Sequence, residues 1–250
     1  MQQLAADLRG AVSRGAISAW FQPQFDVPSG RIASVEALCR WRHPDLGMVA
    51  PSVFIPIAEE VGLIQEIGQF MVEQSCLAAD EWSRRESPIE VSVNVSPAQL
   101  RTAEFTDRLA RELSRLSLAP QSLTIEITES LPINDLDVVV HRLDELRQLG
   151  LGVSLDDFGS GHSSLNMVEK LHATELKIDQ SLVRDGSLET HALLTAVVEH
   201  VHESGIRVVA EGVETAEQLE HVRELHCDRV QGYLLGLPMP KDELELLLAR

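Results

Sequence analysis

A (β/α)8 barrel of TIM type, α/β in class, is the fold this sequence predicts, on three observations. Short apolar, β-branched runs alternate with amphipathic stretches along the whole chain. The eight such runs, within 250 residues, match the size of one barrel. No GxGxxG turn follows the early runs, which disfavours a doubly wound open sheet. Strands alternating with helices imply βαβ units and a mostly parallel sheet.

Strands are predicted at 20–25, 32–38, 90–95, 122–127, 152–155, 175–178, 207–210 and 228–230, and helices at 51–72, 97–114, 134–149, 164–170, 190–203, 215–223 and 241–249. Ser96 reads as an N-cap, with Pro97 at the first helical position where a missing N–H does no harm. Gly150 and Gly205 follow helical patterns, as left-handed C-terminal residues do. In stretch 134–149, Leu136, Val139, Val140, Leu143 and Leu146 share one face at spacings of three and four.

No linker or low-complexity tract divides the chain, so a single domain over 1–250 is expected, with its core at about 4–249. Hydrophobic residues make up 44% and charged residues 24%, which is ordinary globular composition. Cys39, Cys76 and Cys227 form no CxxC pair and argue against a disulfide framework or zinc ribbon, consistent with a reducing cytoplasm. No apolar run approaches the roughly 20 residues of a membrane span, and the polar first ten residues do not read as a signal peptide. A net charge of −18 is the wrong sign for binding duplex nucleic acid.

The informative feature is what stands at the C-terminal ends of the strands, the active-site rim of a barrel. In order they carry Glu36, Asn94, Glu126, Asp156 with Asp157, Lys177, Glu211 and Gln231. A single acid there is most simply a helix cap or the partner of a lysine. Several in one ring cannot all be neutralised by Lys177, and close like charges oppose one another's ionisation unless a cation is bound. Hard oxygen ligands suit Mg²⁺ or Mn²⁺. Zinc chemistry fits less well: His200 and His202 do not share a helix face, and no HExxH grouping appears. The loop at 156–165 contains Gly159, Ser160 and Gly161. For Asp156 and Asp157 both to reach the cations, the strand's alternation must end between them.

The motifs FQPQFDVPSGRIASVEALCRWRHP (containing Glu36-Ala37-Leu38), FIPIAEEVGLI, VNVSPAQL, EITES, LDDFGSGHSSL, LKID, AEGVE and QGYLLGLPMP occur in the order found in the EAL domain family of cyclic di-GMP phosphodiesterases, which the chain resembles from about Leu4 to its end. The resemblance implies an EAL-type barrel with one antiparallel strand and two-metal hydrolysis of cyclic di-GMP to linear 5′-pGpG. It implies that Glu36, Asn94, Glu126 and Asp156 hold a first metal, and that Asp156, Asp157 and Glu211 lie at a second. Lys177, Glu211 and Asp157 would serve the attacking water, and Gln22, Leu38, Arg40 and Gln231 would contact substrate. Glu129 and Glu214 would steady the 156–165 loop. Also implied are two Mg²⁺ or Mn²⁺ ions, poor support by Ca²⁺, a homodimer, fused sensor or GGDEF domains in a longer protein, and a place in the cytoplasm or on the cytoplasmic side of a membrane. Departures from the family pattern are His162, His172, Thr174, Leu234 and Leu235, none of them at a metal position. The rival reading is a catalytically silent receptor for cyclic di-GMP. Such receptors typically lose metal acids, and all of those positions are filled here. An unrelated Mg²⁺-dependent barrel doing enolate chemistry would explain the acids but not the motif order.

Overall fold

Residues 2–128, 136–161 and 165–249 are described by the computed structural model. Glu129 and His162 lie outside them. In chain order the elements are α1 (Gln2–Leu8), β1 (Ile17–Asp26), β2 (Ile32–His43), β3 (Gly47–Val49), α2 (Pro51–Glu60), α3 (Ile64–Trp82), β4 (Glu90–Asn94), α4 (Ala103–Leu116), β5 (Leu123–Thr128), α5 (Leu136–Gln148) and β6 (Gly152–Phe158). There follow α6 (Leu165–Lys170), β7 (Glu175–Ile178), α7 (Gln180–Arg184), α8 (Leu188–Glu203), β8 (Arg207–Ala210), α9 (Ala216–Glu224), β9 (Arg229–Val230), β10 (Met239–Pro240) and α10 (Lys241–Leu248).

Eight strands close a ring in the order β1-β2-β4-β5-β6-β7-β8-β9 and back to β1. β1 runs antiparallel to both of its ring neighbours, and every other ring pairing is parallel. β3 forms a hairpin with β2, and β10 adds to β1 outside the ring.

The two-residue alternation of each strand sorts its side chains between two environments. Outward go Val35, Ala37, Val91, Val93, Ile125, Val153, Leu155, Leu176, Ile178 and Val208, buried under the helices in the main apolar core. On the other face the ring carries almost only polar groups. Pairing sets Gln22 beside Glu36, Glu36 beside Ser92, Ser92 beside Thr124, Asn94 beside Glu126 and Glu126 beside Ser154. The apolar core thus lies around the barrel, while the lumen is filled by buried Gln, Ser, Thr, Glu and Lys. A smaller apolar cluster around Trp41 and Phe54 packs α1 and α2 against the end of β2.

Two helix expectations need correction. The 51–72 stretch is two helices, because the chain breaks at Gly62, whose φ of +74° favours glycine. The 97–114 helix starts instead at Ala103, with Thr102 in the N-cap position. Ser96 is engaged elsewhere: its Oγ donates to Glu59 Oε1 at 2.6 Å and accepts from the Ala98 amide at 3.2 Å. Gly150 and Gly205 close their helices with φ of +97° and +70°, as their positions predict. β2 runs on to His43, past its expected end, because β1 and β3 both continue to pair with it.

Candidate metal centre at the barrel mouth

Glu36 lies within β2, one residue before its parallel pairing with β4 ends, Asn94 ends β4, Glu126 lies near the end of β5, and Glu211 directly follows β8. Parallel register delivers all of them to the same mouth. One ligand oxygen from each of Glu36, Glu126 and Asp156 falls within a 4.8 Å cluster. A second cluster of the same size joins Asp156, Asp157 and Glu211, so Asp156 belongs to both.

Adjacent residues of a regular strand point to opposite faces, yet Asp156 and Asp157 share a cluster. Backbone geometry supplies the reason. Asp157 has a φ of +62°, and the pairing of β6 with β7 is irregular between Leu155 and Phe158. This bulge turns the second carboxylate back toward the mouth. Left-handed backbone is tolerated by aspartate more readily than by most residues, and such strain gathers at functional sites. Of the loop glycines, Gly159 is the constrained one: its φ is +103°, and a Cβ there would meet Leu182 Cδ1 at 2.1 Å. At Gly161 a Cβ would meet nothing within 4 Å among the described residues.

Lys177 rises from β7 into the middle of the acids. Its Nζ lies 2.8 Å from Glu211, 2.9 Å from Glu126, 3.2 Å from Asp156 and 3.5 Å from Glu36. Its burial favours the neutral amine, but Asp156, Glu126, Glu211 and Glu36 together hold it charged well above the usual lysine range. Burial pushes Glu126 and Glu211 well above the carboxylate range in spite of Lys177. Asp157 is pushed up to about 6 by burial and by the charges of Asp156 and Asp179. Glu36 moves the other way: burial opposes its charge, but Lys177 and hydrogen bonds from Gln231 and Asn94 outweigh it.

Four carboxylates therefore contact one cation, a fifth, Asp157, adjoins them in the second cluster, and no other cation pairs with these acids among the described residues. Glu126 Oε1 is buried with no hydrogen-bond partner among those residues. Unbalanced negative charge and an unused carboxylate oxygen, in an all-oxygen donor set, fit hard divalent cations.

The sequence-predicted substrate positions border the same mouth. Gln231 Nε2 donates to Glu36 Oε2 at 2.7 Å and to Gln22 Oε1 at 3.0 Å. A polar cavity of about 400 Å³ is lined by Gln22, Leu38, Asp156, Asp157, Glu211 and Gln231 among others. On the other side of Glu36 and Asn94, an apolar cavity of about 450 Å³ is walled by Leu38, Ile55, Pro56, Ile67 and Met71. Arg40, two residues beyond Leu38 on β2, lays its guanidinium 5.9 Å from the Trp20 ring centre and is not brought against the acids. Glu214 pairs with Arg184 at 2.6 Å. Asp179 and Arg184 also line the polar cavity and were missed from the sequence. Asp179 could have been found there, since it stands two residues after Lys177.

A family model described as EAL domain matches residues 5–238, and the chain belongs to that family. The bifunctional diguanylate cyclase/cyclic di-GMP phosphodiesterase MucR of Pseudomonas aeruginosa is 38% identical, over 97% of this chain and 36% of MucR. The cyclic di-GMP phosphodiesterase PA2567 of the same organism is 36% identical, over 92% of this chain and 40% of that protein. The chain thus spans well under half the length of these curated relatives. A solved structure of the PaMucR phosphodiesterase in its c-di-GMP complex superposes with a TM-score of 0.89 at 38% identity, covering 97% of this chain and 99% of that one.

Proposed function

We propose that this chain hydrolyses cyclic di-GMP to linear 5′-pGpG with two divalent cations, Mg²⁺ or Mn²⁺. The observation that carries the reading is the pair of acidic clusters sharing Asp156 beside a polar cavity, in a family whose relatives are named for this activity. Glu36, Asn94, Glu126 and Asp156 would hold one cation, and Asp156, Asp157 and Glu211 the other. Cations bound there would offset the negative charge of a phosphodiester and lower the pKa of a coordinated water.

The chain's own groups do the rest. Lys177 Nζ, kept charged by its carboxylates, donates to the attacking water and aims its oxygen at phosphorus. As the new P–O bond forms and the P–O3′ bond breaks, Asp157 or Glu211 takes the water's proton, and a proton is returned to the departing 3′ oxygen. Arg40 clamps a phosphate oxygen of the substrate, Leu38 packs against it, and the amides of Gln22 and Gln231 orient it. Glu129, Gly159, Ser160, Gly161 and Glu214 steady the loop that follows Asp157. A homodimer, a fused sensor or GGDEF domain and action on the cytoplasmic side of a membrane belong to the same reading. Among the described residues no helix is long and apolar enough to cross a membrane.

The test is incubation with cyclic di-GMP and Mn²⁺, Mg²⁺ or Ca²⁺, followed by chromatography. Mn²⁺ or Mg²⁺ should yield pGpG. Ca²⁺ should allow binding with little turnover, because its longer and looser coordination positions the water poorly. Binding with intact substrate under every metal would establish the silent receptor instead.

A further inference from the structure

The geometry points to Gln24, one alternation step below the rim on β1, as a positioning residue for the metal centre. This assignment rests on the reading of the mouth as a metal site. Gln24 is fully buried, and its Nε2 donates to Gln231 Oε1 at 2.8 Å. Gln231 in turn donates from Nε2 to Glu36 Oε2 and Gln22 Oε1, and Gln22 donates from Nε2 to the Gly236 carbonyl at 3.0 Å.

The direction of this chain follows from its two ends. An ionised Glu36 and the Gly236 carbonyl can only accept. Gln231 must therefore turn its NH₂ toward the mouth and its oxygen down the lumen. An oxygen facing down the lumen requires a donor beneath it, and Gln24 is that donor. Were the donor lost, the Gln231 amide could rotate and set its oxygen against Glu36 Oε2, acceptor against acceptor, at the present separation of 2.7 Å. Among the described residues Gln24 makes no hydrogen bond to any of the five clustered acids. It acts on Glu36 through Gln231, as the partners behind a metal ligand fix its orientation. The sequence carries the signal: Gln22 and Gln24 lie two apart on one strand and so share the lumen face.

The test is a double-mutant cycle read without substrate, by following free Mn²⁺ through its electron paramagnetic resonance signal. Leucine replaces the buried glutamine at nearly constant volume. Gln24→Leu should weaken Mn²⁺ binding roughly 10-fold, the low end of what changes behind a metal ligand produce. In a Gln231→Leu background the same substitution should change Mn²⁺ affinity less than twofold, since the path to Glu36 is already cut. Turnover of cyclic di-GMP should follow the same non-additive pattern in kcat. A purely structural role would lower the melting temperature and leave the Mn²⁺ affinity of the folded protein unchanged. Unchanged affinity, or an equal loss in both backgrounds, overturns the proposal. If Gln24→Leu does not fold, Gln24→Met is read by the same criteria. A coupled Mn²⁺ cycle in a protein that leaves cyclic di-GMP intact supports the relay and overturns the phosphodiesterase reading.

Discussion

The two mouths of the barrel carry buried charge in opposite ways. At the N-terminal mouth the first residues of four strands meet: Glu90 of β4, Glu175 of β7, Arg207 of β8 and Arg229 of β9. Arg207 reaches Glu175 at 2.7 Å and Glu90 at 3.2 Å, and Arg229 reaches Glu90 at 2.9 Å. Two acids meet two guanidiniums, and none of these side chains leaves a buried polar atom without a partner among the described residues. At the C-terminal mouth four acids share one ammonium, a fifth, Asp157, joins their cluster, and Glu126 Oε1 is left over. A balanced network closes its end of the lumen and needs nothing more. An unbalanced one keeps the folded protein under electrostatic stress that a cation would relieve.

The widest separation between the mouths should come from one substitution at each. Glu36→Ala removes an acid from the first cluster and should cut turnover of cyclic di-GMP by more than about 100-fold, beyond what changes behind a ligand produce. Arg229→Met leaves Glu90 and Glu175 short of a partner. It should lower stability by about 2–4 kcal/mol, tempered by the partial exposure of Glu90, and so lower Tm by roughly 5–15 °C. Its kcat on the remaining folded protein should stay within about twofold. Calorimetry and a turnover assay on both variants check this, and a matching loss of kcat in Arg229→Met would erase the distinction between the mouths.

Cation binding should act at one mouth alone. Mn²⁺ at a hundred times its Kd should stabilise the wild type by about 2.7 kcal/mol, or roughly 5–10 °C in Tm. Arg229→Met should show the same gain from its lower baseline, whereas Glu36→Ala should lose most of it. Equal gains in all three proteins would mean that Mn²⁺ binds somewhere else.

A smaller contrast divides the loop that follows β6. Gly159→Ala forces a side chain into left-handed backbone and onto Leu182, so it should destabilise by about 1–2 kcal/mol and disturb the neighbouring Asp157. Gly161→Ala meets no neighbour among the described residues and should leave Tm within about 2 °C. Equal effects of the two substitutions would show that backbone conformation at Gly159 is not what holds the loop.

What the sequence revealed of these regions follows from which signals are local. The rim acids were legible because each stands in or just after the last part of an apolar run, and parallel pairing carries those parts to one mouth. The balanced network is built on the same lumen face, four residues below Asn94 at Glu90 and two below Lys177 at Glu175, yet it went unread. Its charge balance exists only once β4, β7, β8 and β9 are brought into one ring. The break at Gly62 was hidden because α2 and α3 both bury apolar faces, so periodicity runs across the gap. Ser96-Pro97 misled because a capping serine and a serine bound to a distant glutamate look the same in one dimension. Asp157 was anticipated in place but not in means, since the sequence does not state that its own φ turns positive.

Acid should act weakly at the balanced mouth, and with a definite sign. Burial alone would raise the pKa of Glu90, but hydrogen bonds and charge from Arg229 and Arg207 outweigh it and hold the group below its ordinary value of 4.5. A carboxyl depressed by folding contributes stability above its unfolded pKa and loses it as pH falls through the folded one. Glu90 should therefore contribute nothing to the pH dependence of Tm between pH 6 and 8. Below about pH 4.5 the metal-free wild type should lose Tm more steeply than Glu90→Gln, by no more than a few degrees, because Glu90 is about a third exposed. Parallel acid limbs in the two proteins would mean that the guanidiniums do not hold Glu90 ionised, and the balanced mouth would lose its electrostatic account.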